Sequence, residues 1–447
     1  MRTPASIARL LTIAAAALVA VAGCSDANPT GRSGGFADGV HLYGSDGNMS
    51  NALGTSLKDH PGVLAGMKGT APLNPLSDDF IARLRSIYPG LADFNYAGQA
   101  YDAVVIAGLA AQIARSTEGT EIAKFVPGVT IGTVDCSTIG ECLALIQQGR
   151  DIVYRGITLR RGGFTDAGEP ALATYGTLHF SRDNKIDDGK TEYVGAGNET
   201  DTTKARQPNP PPVSQKVDGK GLKLATLLGK TGQLAGLYPP MYTGARLAIR
   251  ELNAAGGILG HPVDYIEADD GTNPDKAKQA VEELLAQKVN VIIGAGASGI
   301  SKVVIPRITE AGVLMISPCA TSDELISVPD HGLFFRTAAP DQLQAKALAD
   351  VVMRDGGQKL FIVARDDSWG QGLLNNLKAN LEAAGVQAAS IKVFTYKPGE
   401  NANDQPNVTA LPKQIKDFAP DGVVILGFDE SAHVIDALLT AGIPLHE

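Results

Sequence analysis

From residue 222 onward the chain alternates apolar runs with stretches of helical spacing. Residues 222–228 (LKLATLL) are apolar almost throughout and suit a strand buried on both faces. Residues 241–253 (MYTGARLAIRELN) repeat their apolar positions at helical spacing, and Gly256 and Gly257 end the run. Residues 263–267 alternate as a strand, and 274–288 predict a helix with Asp275 in its first turn. A strand over 289–294, a helix over 300–311 and a strand over 313–317 follow. The pattern resumes at 359–364, 370–384, 388–394, 412–418, 422–427 and 431–441. Repeated βα units build parallel sheets with helices on both faces. There are too many here for one small sheet. The pattern predicts an α/β chain with two successive doubly wound, parallel-sheet lobes, switching near 335–340.

The first half is less regular. Residues 40–43 and 67–71 read as short strands, and 78–88 and 101–115 as helices, the second amphipathic. Residues 156–159 and 173–180 look like late strands, with turns at 166–168 and 187–189. Residues 199–220 (ETDTTKARQPNPPPVSQKVDGK) are polar, with three prolines at 210–212. They predict a linker, partly extended as polyproline II.

The N-terminus adds a compartment. Arg2 and Arg9 precede an apolar run over 10–22 that closes on Val21-Ala22-Gly23-Cys24. So short a run before small residues predicts a secretory signal over 1–23 and not a membrane span. Cys24 after Val-Ala-Gly resembles a bacterial lipobox, which implies a lipidated first residue of the mature chain. Residues 24–39 are rich in Gly, Ser, Asp and Asn and predict a flexible tether. Composition fits an exported globular protein: 19% charged, 44% hydrophobic, net charge −9. No basic patch points to nucleic acid, and no second apolar run is long enough to span a bilayer.

Cys136 and Cys142 lie in VDCSTIGEC. In an oxidising compartment that pair predicts a small-loop disulfide; a zinc pair competes but has no accompanying His or further Cys. Cys319, in MISPCAT, reads as a buried free thiol, since no catalytic base is identifiable. Residues 294–299 (GAGASG) match the dinucleotide fingerprint. That fingerprint also wants an acidic residue about 20 positions on, where this chain has Ser317-Pro318-Cys319. No G-x-S-x-G, H-E-x-x-H or P-loop occurs, and the seven histidines show no metal spacing. The chain is expected to be no enzyme, with no cofactor and no metal.

Several segments then become specific. Residues 224–263 (LATLLGK…GGILGHPV), VIIGAGASGIS, MISPCATSDEL, LFFRTAAPD, RDDSWGQGL and VVILGFDES resemble, in order, the front half of the leucine/isoleucine/valine-binding family of periplasmic, type I solute-binding proteins. VHLYGSDGNMS at 40–50, GMKGTAP, AYDA and YGTLHFSRDN resemble that family's back half. The resemblance covers nearly everything from Val40 to Glu447 except the linker, in the order of a circular permutant. A fragment of a tandem array, or a sequence error, would give the same order. The family layout implies lobe I from 221–340 and 72–155, and lobe II from 341–447, 40–71 and 156–196, joined by a hinge.

Ligands of open α/β sheets bind outside the carboxyl ends of the strands. Residues 294–299 follow a strand and open a helix, where free N–H groups favour an anion. By resemblance, Ser298 holds a ligand α-carboxylate, while Cys319, Ala320 and Thr321 contribute backbone groups and a hydroxyl. The ammonium needs a carboxylate; Asp46 matches the family's position, though the best-known members carry Glu there, and Asp429, after a lobe II strand, could share the role. Taken alone, Ser298 and Thr321 read equally as helix caps and either Asp as a turn residue. Leu237, Tyr238, Trp369 and Phe428 are candidates to cover the ligand side chain, and Tyr101 to reach the hinge side. The family implies a monomeric lipoprotein of an ABC importer, outside the cytoplasm and anchored to the bacterial membrane through Cys24. Its partners would be the importer's membrane subunits, and its ligand a branched-chain amino acid. The alternatives are a sensing receptor for an amide, urea or other small solute, and a permuted relic that binds nothing.

Overall fold

The computed structural model describes residues 39–215, 217, 219–399 and 404–446. The expected signal, Cys24 and all of the tether but Gly39 lie outside the described residues. The elements run in the order β1 (His41–Gly44), α1 (Asn51–Ser56), β2 (Lys68–Pro72), α2 (Asp78–Ile87), α3 (Ala97–Ala114), α4 (Gly119–Ala123), β3 (Val134–Cys136), α5 (Ile139–Gln147), β4 (Ile152–Tyr154), β5 (Leu172–His179) and β6 (Glu192–Gly197). After the linker come β7 (Lys223–Leu228), α6 (Tyr238–Ala254), β8 (Asp264–Asp269), α7 (Pro274–Ala286), β9 (Val291–Gly294), α8 (Ser298–Glu310), β10 (Leu314–Ser317) and β11 (Phe334–Arg336). The last group is α9 (Asp341–Arg354), β12 (Leu360–Arg365), α10 (Ser368–Ala383), β13 (Ile391–Tyr396), α11 (Leu411–Phe418), β14 (Gly422–Leu426) and α12 (Ser431–Thr440).

Two principal sheets result. Lobe I is a five-stranded sheet in the order β11-β10-β9-β7-β8, parallel throughout. Its central strands β7, β9 and β10 are mostly aliphatic, as double-faced burial demands, whereas the edge strand β8 (DYIEAD) is largely polar and half-exposed. Helices start where local chemistry satisfies their free N–H groups. Asn273 accepts from the amides of Asp275 and Lys276 with Pro274 in the first turn, and Asp367 accepts from Gly370.

Lobe II is a seven-stranded sheet in the order β13-β12-β14-β1-β2-β5-β6. The first strand of the chain therefore lies between the last strand and β2. His41 to Gly44 pair in parallel with Gly422 to Ile425, and Tyr43 and Gly44 pair with Lys68 and Gly69. The Val40 N–H donates to the Pro444 carbonyl at 2.9 Å. This sheet is mixed, not wholly parallel as expected: β5 runs antiparallel to both β2 and β6. A hairpin at a sheet edge needs only a short turn between strands, and residues 180–191 supply it.

Four other features differ from the expectations. Helix α3 begins at Ala97 and is not amphipathic: every residue of it except Ile113 is buried. A helix apolar on all sides belongs inside, and α3 packs on α6 so closely that a side chain at Gly244 would meet the Ala97 carbonyl. Residues 156–159 form no strand. The Asp102 carboxylate of α3 accepts from the amides of Ile157 at 2.9 Å and Thr158 at 2.7 Å, so those groups need no ladder partner. Helix α9 lies in a stretch to which the apolar pattern assigned no element. The Pro-rich segment, expected as a free linker, is tied down at its start: the Thr203 N–H donates to the Phe164 carbonyl at 2.7 Å and the Gly163 N–H to Thr202 Oγ1 at 3.1 Å. Cys136 and Cys142 are joined as a disulfide between β3 and α5. Among the described residues no helix is long and apolar enough to cross a membrane.

Candidate functional site

The carboxyl ends of the two sheets face each other, and the loops after their strands meet. On lobe I, β9 ends at Gly294, where a Cβ would run into the Leu227 carbonyl, and φ is +144°. The chain then turns into α8. Ser298 is the first residue of that helix, not its cap; its Oγ accepts from the amides of Thr321 and Ser322, each at 3.1 Å. Ser317 Oγ accepts from Ala320 N at 3.0 Å and donates to the Ala295 carbonyl at 2.7 Å. Two serines thus fix the loop that carries Cys319, Ala320 and Thr321.

Lobe II brings Asp46 to the same place, in the turn after β1. Its carboxylate is 3% exposed. Tyr96 Oη donates to Oδ2 at 2.5 Å and Gln344 Nε2 to Oδ1 at 2.6 Å. Burial pushes this carboxyl above its ordinary value, while the bonds from Tyr96 and Gln344 pull the other way. Ser45 Oγ, Thr70 Oγ1 and Gln344 Oε1 are buried here with no hydrogen-bond partner among the described residues. The Cys319 thiol is buried and pushed well up by burial, so it stays protonated and unreactive.

Apolar walls complete the site. Leu237, Ala320, Cys319, Tyr96, Trp369 and Phe428 belong to one buried cluster spanning both lobes. The Trp369 and Phe428 rings are 4.8 Å apart, and the Arg365 guanidinium lies 3.8 Å from the Phe428 centroid. Arg365 pairs with Glu430 at 2.7 Å and donates across the lobes to Gln233 Oε1 at 3.2 Å. Asp429 accepts the Gly236 N–H from the opposite lobe at 3.0 Å, and burial pushes its carboxyl up to about 6. Asp429 thus holds the two lobes together, away from Asp46's partners. Ser322 and Ser368 meet across the same boundary at 3.0 Å.

Two expected residues stand elsewhere. Tyr101 donates to Glu251 at 2.6 Å beside Arg83, on the face of α3 toward α2 and α6. Tyr238 donates to Glu267 at 2.6 Å and stacks on Tyr242. The tyrosine at the site is Tyr96, which ends a turn with φ +65° before α3. No motif marks it. Gln344 was hidden by the unassigned helix α9.

Asp270, just after β8, is a further buried carboxyl that sequence reasoning missed. It is 1% exposed, Oδ1 accepts from Thr272 N at 2.7 Å, and Oδ2 has no partner among the described residues. Burial pushes it up to about 6. An acid raised above its unfolded value of about 3.9 favours folding below that value, and the benefit is lost as pH rises through about 6. Stability is therefore expected to rise from pH 7 to pH 5. Asp270→Asn should stabilise the chain at pH 7 by roughly 1–3 kcal/mol and flatten that rise. Urea unfolding at both pH values checks this; an unchanged pH dependence refutes it.

Residues 221–446 match the sequence profile of a family described as Periplasmic binding protein. A Leu/Ile/Val-binding protein of Rhizobium johnstonii is 30% identical over 201 residues, 44% of this chain and 52% of that protein. The leucine-, isoleucine-, valine-, threonine- and alanine-binding protein of Pseudomonas aeruginosa is 29% identical over 196 residues, 44% and 50% of the two chains. The chain spans about half the length of the curated relatives it matches. Among solved structures, a branched-chain amino acid transporter substrate binding protein from Streptococcus pneumoniae, in complex with isoleucine, aligns with a TM-score of 0.43 at 24% identity, covering 51% of this chain and 63% of that one. With just over half of its residues matched by that profile, the chain belongs to the periplasmic binding protein family.

Proposed function

We propose that this chain is the substrate-binding component of an ABC importer, working outside the cytoplasm, and that it closes around a small amino acid. A branched-chain amino acid is the preferred ligand, as in the names of the relatives from Rhizobium johnstonii and Pseudomonas aeruginosa. The observation that carries this reading is that Asp46, held by Tyr96, lies within electrostatic reach of Cys319 in the loop pinned by Ser298. The carboxylate takes the ammonium. The Ser298 hydroxyl, whose oxygen already accepts from the loop amides, donates to the α-carboxylate, and the Thr321 hydroxyl, buried with no partner among the described residues, takes a remaining ammonium proton. Leu237, Trp369 and Phe428 suit an aliphatic side chain. A zwitterion matches such a site because each of its charges meets a fixed, desolvated partner. The lobes part and close by a hinge at the segments passing between the sheets.

The same reading makes the chain a circular permutant. It is supported by β1, which continues the sheet beyond β14, the final strand of the family-matched segment. Cys24 is the proposed lipid anchor, a monomer the proposed state, and the importer's membrane subunits the proposed partners.

The test is thermal unfolding of residues 25–447 with millimolar amino acids, amides and urea. A ligand at about 100 times its dissociation constant stabilises by about 2.7 kcal/mol. A selective upward shift with leucine, isoleucine or valine is expected. A cooperative transition that no amino acid shifts would overturn the proposed ligand class.

A further inference from the structure

Arg336 is 1% exposed and heads the largest fully buried side chains of the molecule. It ends β11, at the point where the chain leaves lobe I for lobe II. Its Nη1 donates to the Ala320 carbonyl at 3.2 Å and to the Ser322 carbonyl at 2.9 Å. Its Nη2 pairs with Glu169, itself 6% exposed. Glu169 belongs to residues 155–171, the segment that carries the chain from lobe I to β5. That segment is fastened to β11 independently: the Arg336 N–H donates to the Gly168 carbonyl at 2.9 Å, and the Phe164 and Phe335 rings meet edge to face at 5.9 Å.

The loop over 318–322 is therefore held from two sides. Its amides go to Ser298 and Ser317, and its carbonyls at 320 and 322 go to one guanidinium. Only a planar fork of donors can fix two carbonyls two residues apart and keep a further N–H for a carboxylate; a lysine ammonium has no such geometry. An unpaired buried arginine costs several kcal/mol; Glu169 in the ion pair and Asp341 nearby supply the opposite charge.

We infer that Arg336 is a positioning residue for ligand binding: it sets the shape of the loop 318–322 through the Ala320 and Ser322 carbonyls, and Glu169 ties that shape to the segment crossing between the lobes. The inference rests on the proposed role of this loop in holding the ligand. Hinge geometry and ligand-loop geometry are then linked, since two of the segments crossing between the lobes, at 155–171 and at 337–340, converge on Arg336.

The test uses the full mature chain, with Arg336→Lys and Glu169→Gln. Two quantities are read: hydrogen exchange of the loop amides, and affinity for leucine by calorimetry. Arg336→Lys is expected to speed exchange at Thr321 and Ser322 by about tenfold or more and to weaken leucine by a similar factor. Helix α11, far from the loop in the sheet order, should exchange as before. Glu169→Gln should act in the same direction with a smaller effect. Wild-type exchange in both variants overturns the inference, and so does a loosened loop with unchanged affinity. Should Arg336→Lys fail to fold, Glu169→Gln decides by the same two readouts. A wild-type chain that binds no amino acid sinks the proposed ligand, while loop exchange still decides whether Arg336 shapes the loop.

Discussion

Asp46→Ala is expected to weaken leucine binding by at least about a hundredfold. Removing one partner of a buried, hydrogen-bonded charge pair costs about 2–5 kcal/mol, and 2.7 kcal/mol already corresponds to roughly a hundredfold. The other buried carboxyl nearby, Asp341, is pushed well up by burial, which disfavours its charged form as a replacement. Tyr96 and Gln344, its two donors, would be left without their acceptor and cannot accept an ammonium in the same way. Asp46→Asn keeps the shape and removes only the charge, so it separates electrostatics from packing. Both variants should unfold cooperatively, because a buried carboxyl raised by desolvation burdens the fold more than it supports it. The same displacement predicts a pH effect. Binding an ammonium requires the ionised carboxylate, so affinity should fall as pH drops into the raised range of Asp46 and a proton competes for the site. Calorimetric titration of the two variants and of the wild type across pH measures this. Retained affinity in Asp46→Ala would remove Asp46 from the site.

The legible and illegible parts of the molecule divide along physical lines. Strands such as β9 and β10 are continuous apolar runs ended by glycine or serine, and such runs are visible in any sequence. Ser298, Thr321 and Asp46 were proposed from the family resemblance, and each lies in a loop close after such a strand. Tyr96 and Gln344 reach Asp46 from α3 and α9, 50 and 298 residues away along the chain. Contacts of that separation leave no local pattern. Tyr101 was proposed from the AYDA segment, whereas Tyr96, which no motif marks, sits in a left-handed turn before α3. Asp429 was read as able to share the ammonium with Asp46, since it too follows a lobe II strand; in the structure its Oδ2 accepts the Gly236 amide of the opposite lobe. Residues 156–159 failed as a strand because one carboxylate, Asp102, satisfies the amides that a ladder would otherwise pair.

A chain reduced to residues 221–446, the segment matched by the family profile, is expected to lose cooperative unfolding altogether. Two losses combine. Strand β14 would keep β12 on one side and expose its other edge, although Val423, Val424 and Ile425 are now wholly buried. Helix α6 would lose α3, whose Val104, Val105, Ile106 and Leu109 are buried completely. At roughly 1.5–3 kcal/mol for each such side chain, those four alone contribute on the order of 6–12 kcal/mol. That is comparable to the whole net stability of a typical domain, about 5–15 kcal/mol. The proposed permutation makes the converse expectation just as sharp. A reordered chain running 221–444 and then 40–197 should fold into the same two lobes, because the Pro444 carbonyl already accepts the Val40 N–H at 2.9 Å and a short join can connect them. Circular dichroism melting of the two chains, beside the original, compares all three. Cooperative melting of 221–446 alone would mean that the halves fold independently. A reordered chain that stays unfolded while the original melts cooperatively would refute the permutation, since the same contacts would then depend on the order in which the chain supplies them.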